Sequence, residues 1–122
     1  MRHHQYPFKV NTSRSLDVLD LTDQVQRVLA DSPIFEGHVT VSTLEAGCTL
    51  IVNEKEAGLI SDLREAVGRL GNGRGQGLPL GSTSVMLPAI DGALAIGTWQ
   101  RVLLVELDSK ASRTVVVQIV GD

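Results

Sequence analysis

The sequence predicts an α+β fold, a mostly antiparallel sheet with two helices packed on one side, and three observations carry that reading. From Gly92 to Gly121, GALAIGTWQRVLLVELDSKASRTVVVQIVG contains three successive apolar, β-branched runs joined by connections of hairpin length. Two other stretches, after Leu21 and after Asn53, switch to a helical period. Aromatic residues make up only 3% of the chain, so the core must be filled by Val, Leu, Ile and Ala, which favours sheet.

The elements follow in the order ββαββα–loop–ββββ. Tyr6 to Thr12 and Ser15 to Leu21 read as two short strands around a polar Asn-Thr-Ser-Arg turn. The first helix comes next, with Thr22 suited to the N-cap and Asp23 to the first turn. Leu21, Val25, Val28 and Leu29 share one face, and Asp31-Ser32-Pro33 ends the helix. In HVTVSTL, Val39 and Val41 alternate with Thr40 and Ser42, as in a half-buried strand. After an Ala46-Gly47 turn, CTLIVN is more continuously apolar, which predicts a central strand, paired with HVTVSTL as a hairpin.

A second helix is expected from near Glu54 to about Leu70, with Leu59, Leu63, Ala66, Val67 and Leu70 as its apolar stripe. Asn53 and Glu56 suit a capping box at its start. Five glycines from Gly71 to Gly81 predict a flexible loop. TSVMLP is then a short strand, Pro88 and Asp91-Gly92 a turn, and ALAIGTW, RVLLVELD and RTVVVQIV the closing strands.

A chain of 122 residues is expected to form one domain, residues 1–122, around one modest core. So few large rings favour added stability from a subunit interface. A net charge of −3 argues against nucleic-acid or anionic-membrane partners, which call for a basic footprint. No apolar run reaches the roughly 18–20 residues of a membrane span, and the first residues lack the apolar core of a secretory signal. Cys48 is the only cysteine, so no intramolecular disulfide forms, and a reducing, cytoplasmic setting is expected.

Several segments, in this order, resemble the YjbQ-like family of small uncharacterised proteins, often labelled secondary thiamine-phosphate synthases. LDLTDQVQRVLADSPIFEGHVTV is similar to that family's opening strand, helix and strand. LIVNE with Asp62-Leu63 resembles its INE…DL segment, and SVMLPAIDGALAIGTWQRVLLVELD with Arg113 and VVVQIVG its closing signature. The resemblance implies a mixed, barrel-like sheet and a homotrimer. It also implies a polar pocket near subunit contacts, lined by histidines and carboxylates and able to hold a metal or an anion. The associated activity joins a pyrimidine pyrophosphate to a thiazole phosphate.

This chain departs from the pattern where the family carries His-Thr-Thr, because Glu45-Ala46-Gly47 stands in that place. A histidine after the second helix and an Asn-Ala-Asp-Ala-His segment have no counterpart, and the glycine loop replaces them. His3, His4 and His38 lie elsewhere in the chain.

Glu54 and Asp62 are carried over by the resemblance as general base or metal ligand; as structural residues they are a helix-end charge and a solvated side chain. Glu106 falls on the same strand face as Val102 and Leu104, so it must be paired, protonated or facing a pocket, with Arg101 and Arg113 as possible partners. Glu45 suits a hard cation such as Mg²⁺, or is simply a turn residue. Cys48 reads as a buried structural thiol. Arg74 in GNGRGQG could assist an anion, though the loop lacks the ending and context of a phosphate loop. Trp99 with Gln100 reads as a packing anchor, with stacking on a pyrimidine as the functional alternative.

The first reading is therefore a homotrimer that keeps the family scaffold while its metal and catalytic set has been reduced, with no cofactor. The second is an enzyme in which Glu45, Glu54 and Glu106 hold a divalent cation such as Mg²⁺ and a phosphorylated small molecule. A purely structural or interaction module is the third.

Overall fold

The computed structural model describes residues 1–70 and 82–122; the glycine-rich stretch and Arg74 lie outside the described residues. In chain order the elements are β1 (Arg2–Asn11), β2 (Val18–Asp20), α1 (Thr22–Asp31), β3 (Gly37–Thr43), β4 (Cys48–Asn53), α2 (Ala57–Leu70), β5 (Ser84–Ile90), β6 (Ala93–Leu94), β7 (Arg101–Glu106) and β8 (Ser112–Gly121). The expected order of strands and helices is the observed one. All described pairings are antiparallel.

The strands form two sheets rather than one: a five-stranded sheet ordered β1-β8-β3-β5-β6 and a three-stranded sheet ordered β2-β7-β4. The expected hairpin between β3 and β4 does not form, because β3 pairs with β5 and β8 while β4 pairs with β7. The link from β7 to β8 likewise crosses from the small sheet to the large one. Its length suits a hairpin, but the inward faces of two stacked sheets bury more apolar surface than a flat meander would.

Nor is β4 a central strand among the described residues; that position belongs to β7. The apolar run of β4 reflects burial on two faces, not two hydrogen-bonded neighbours. Leu50 enters the core between the sheets, while Ile51 packs on the opposite side. On its other edge, among the described residues, Ser82 O accepts from Leu50 N–H and from Thr49 Oγ1, each at 2.8 Å.

Between the sheets lie Val39, Val41, Leu87, Val115, Val117 and Ile119 from one and Leu50, Val102 and Leu104 from the other. Helix α1 covers the rest of the inner face with Leu21, Val25, Val28 and Leu29. Leu59, Ile60 and Leu63 of α2 pack with Leu103 and Val105, which alternation places on the outer side of the small sheet. Both helices thus lie on one side of the large sheet, α1 directly on it and α2 beyond the small sheet.

Helix starts differ from expectation by one to three residues. Thr22 is the first residue of α1; the N-cap residue Leu21 offers no side-chain bond, and Asp20 Oδ1 accepts from Thr22 N–H at 3.0 Å. Thr22 Oγ1 accepts from Val102 N–H at 2.8 Å, tying α1 to β7. At α2, Glu56 Oε1 accepts from Leu59 N–H at 3.1 Å, so the cap sits three residues past Asn53, whose Oδ1 accepts from Glu54 N–H. Asp91 and Gly92, both at positive φ, turn the chain from β5 into β6 as the sequence predicts. Pro88 lies within β5, and ALAIGTW yields only the two-residue β6.

The register of the large sheet sorts its outer face into rows. His3, Val120, His38 and Pro88 form one; Gln5, Gln118, Thr40 and Met86 the next; Pro7, Val116, Ser42 and Ser84 a third.

Candidate functional site

Strand parity places the most concentrated polar chemistry of the described chain. On β7, Val102 and Leu104 face the core between the sheets, and Glu106 shares their side. On β8, Arg113 has the parity of the buried Val115, Val117 and Ile119. The two residues therefore meet between the sheets, with Glu106 fully buried and Arg113 nearly so.

Glu106 is saturated by partners. Arg113 grips it from two nitrogens, Nε to Oε1 at 2.8 Å and Nη2 to Oε2 at 2.5 Å. Thr12 Oγ1 donates to Oε1 at 2.6 Å, and Asp108 N–H to Oε2 at 3.1 Å. Burial opposes the charge, but these donors outweigh it and hold the carboxyl below its ordinary range. The carboxylate in turn holds the guanidinium's pKa above its usual value, against the effect of burial. Of the two arginines the sequence offered, Arg113 is the partner; Arg101 sits at the far end of β7, bound to Asp20 at 2.6 Å and Asp23 at 3.2 Å.

The turn from β3 to β4 closes over this pair. A Cβ on Gly47 would lie 2.4 Å from Arg113 Nη2, so only glycine leaves room for the guanidinium. Glu45 is beside it, its Oε2 accepting from Thr114 N–H at 3.0 Å. Cys48 is buried, with Sγ 3.0 Å from Thr43 Oγ1. Burial raises its pKa, against the pull of Thr43 and Arg113, so it stays a thiol at neutral pH. The structure thus brings Glu45, Cys48 and Glu106 together at one end of the sandwich.

Glu54, Trp99 and Gln100 lie at the other end. Cys48 pairs with Glu106 and Asn53 with Arg101, so the two groups are separated by the length of β4, about 17 Å at the rise of an extended strand. Glu54 follows Asn53 and is exposed, as is Asp62 on α2. Gln100 Oε1 accepts from Gly97 N–H at 2.7 Å and so closes its own turn. Trp99 does not pack as an anchor: it is 72% exposed, because the Gly97–Gln100 hydrogen bonds shape the turn without the indole. Arg74 lies outside the described residues. Among the described residues no three His, Cys, Asp or Glu side chains converge as a metal-holding group.

Nothing local in the sequence marks Thr12, and Gly47 reads there as a turn residue with no sign that it makes room for Arg113. Arg113 had a usable signal, since it breaks an apolar alternation on one strand as Glu106 does on another. Two opposite charges, each on a core-facing parity, are best accommodated by meeting.

A family model described as UPF0047 protein YjbQ-like matches residues 6–76 and 79–122. A UPF0047 protein of Archaeoglobus fulgidus is 33% identical over 124 residues, covering 89% of this chain and 95% of its own. One from Methanothermobacter thermautotrophicus is 27% identical, over 92% and 88% of the two chains. Among solved structures, a YbjQ-like protein of unknown function from Sulfolobus solfataricus P2 superposes with a TM-score of 0.87 at 26% identity, covering 99% of each chain. A hypothetical protein from Aeropyrum pernix K1 gives the same TM-score at 29% identity, over 98% and 99%.

Proposed function

Because the chain belongs to the UPF0047 YjbQ-like family, we propose that it is a cytoplasmic homotrimer that keeps the family scaffold with a reduced metal and catalytic set. The observation that carries this reading is the engagement of Glu45 and Gly47, which stand where the resemblance puts the His-Thr-Thr motif, and of the buried Glu106. Glu45, in the place of the motif histidine, holds a β8 backbone N–H, and Gly47 makes room for Arg113. Glu106 gives its acceptor sites to Arg113, Thr12 and Asp108. A carboxylate bound this way is a structural bolt, with no lone pair directed at a substrate.

The rival reading, a Mg²⁺ site built from Glu45, Glu54 and Glu106 for a phosphorylated ligand, is not favoured by any distance within one chain. Glu54 is a strand length from the other two. Hard cations want several oxygens within about 2.6 Å.

Two measurements test the proposal. Purified protein incubated with a hydroxymethylpyrimidine pyrophosphate and a thiazole phosphate should form no thiamine phosphate above the uncatalysed background. Turnover that is abolished by Glu54→Gln would overturn the reading. Sedimentation should give a particle of about three times the 13.1 kDa chain mass.

A further inference from the structure

We propose that the chain holds a phosphoryl anion, free phosphate or a phosphomonoester, in a cavity between the loop of residues 12–17 and α2. The cavity measures about 350 Å³ and is lined by Arg14, Ala57, Ile60, Ser61 and Arg64. That size falls among small-ligand sites. It lies beside α2, beyond the outer side of the small sheet. Binding there needs neither a metal nor the homotrimer of the reading above.

Charge selects the ligand. Ala57, Ile60, Ser61 and Arg64 follow the i, i+3, i+4, i+7 spacing of one face of α2, and Arg14 enters from the loop opposite. Two guanidiniums on one small cavity repel each other. The chain carries 14 Asp and Glu against 11 Lys and Arg, yet among the described residues neither Arg14 nor Arg64 forms an ion pair. The carboxylates close to them in sequence serve elsewhere. Asp17 Oδ2 accepts from Ser13 N–H at 2.7 Å, Glu56 Oε1 accepts from Leu59 N–H at 3.1 Å, and Glu65 pairs with Arg69. Asp62 stands outside the spacing of the cavity face.

An anion received by both guanidiniums turns their repulsion into attraction, and a cleft lined by one sign of charge concentrates its counter-ion. The planar fork of arginine matches phosphate oxygens, and the Ser61 hydroxyl adds a donor. Ala57 and Ile60 give the cavity an apolar wall for the organic part of an ester.

The loop that carries Arg14 breaks two local rules. Leu16 sits at φ 60°, a strained position for a leucine. It is held there because its side chain is buried in the cluster that Leu59 and Ile60 join, while its N–H donates to Glu106 O at 2.6 Å. Ser15 Oγ is buried with no hydrogen-bond partner among the described residues. Strain and an unsatisfied hydroxyl collect where a backbone is shaped to present a side chain. The side chain presented here is Arg14.

The test titrates inorganic phosphate into the full chain at constant ionic strength, with chloride as the reference anion, followed by amide NMR and calorimetry. Saturable shifts should centre on residues 12–17 and 57–64. Arg14→Gln and Arg64→Gln should each weaken binding at least about ten-fold. Arg27→Gln, which removes the same charge from α1, should leave it unchanged. Phenyl phosphate binding more tightly than inorganic phosphate assigns the site to a monoester, and equal binding assigns it to free phosphate. Equal weakening in all three variants, or no saturable shift at the cavity, overturns the proposal. Arg14 and Arg64 are exposed, so both variants should keep the wild-type far-UV circular dichroism. Should either unfold, the wild-type shift map decides alone, and shifts confined to other residues contradict the proposal.

Discussion

Glu106 and Arg113 show what a single buried pair does to a small sandwich. Each charge is tolerable only because the other is present, so removing one leaves an uncompensated ion in the core. Glu106→Gln should therefore cost about 3–5 kcal/mol, read as a fall in melting temperature of roughly 10–20 °C for a domain of this size. The double variant Glu106→Gln/Arg113→Met should recover most of that loss in urea denaturation, since no unpaired charge remains. A double variant as unstable as the sum of the single ones would mean the two act separately.

The same pair sets an acid limit. The folded-state pKa of Glu106 is depressed, so its contribution is complete above the ordinary carboxylate range and disappears as pH falls through the folded value. Asp20 has the same sign: Thr22 and Arg101 hold its pKa down against burial. Stability of wild type should thus drop on acidification below about pH 4, and Glu106→Gln should show a shallower drop. Equal acid slopes in the two proteins would place the sensitivity elsewhere.

At the scale of elements, close fits decide more than propensity does. Gly37 of β3 and Gly121 of β8 pass so near each other that an added Cβ would lie 2.0 Å from Val120 O in the first case and 1.9 Å from Glu36 O in the second. Backbone cannot yield as a side chain can, so Gly37→Ala and Gly121→Ala should each destabilise by at least about 1–3 kcal/mol. Thr22 makes a comparable claim for α1. Thr22→Val leaves the Val102 N–H without its acceptor and should cost about 1–3 kcal/mol, measured by chemical denaturation. A neutral result would show that the hydroxyl does not link α1 to β7.

These elements were legible in the sequence because their signals are local. Alternation gave Val39 and Val41, the helical period gave Val25, Val28 and Leu29, and Asp91-Gly92 gave the turn. Pairing was not legible. Thr43 and Cys48 flank a turn short enough for a hairpin, yet β3 and β4 go to different sheets, because each finds a better partner 40 or more residues away in sequence. The candidate site divided in the same way. Parity exposed Glu106, but the distance between Glu54 and Glu106 depends on which end of β4 pairs with which end of β7, and no local pattern records that.

For the molecule as a whole, the account joins a framework shared across the UPF0047 YjbQ-like family to residues turned to holding it together. Native mass spectrometry of the purified protein reads both halves of that claim at once. The account predicts one dominant species of three 13.1 kDa chains with the mass of bare polypeptide. A trimer heavier by one zinc per chain, or a monomer at every concentration, would contradict it.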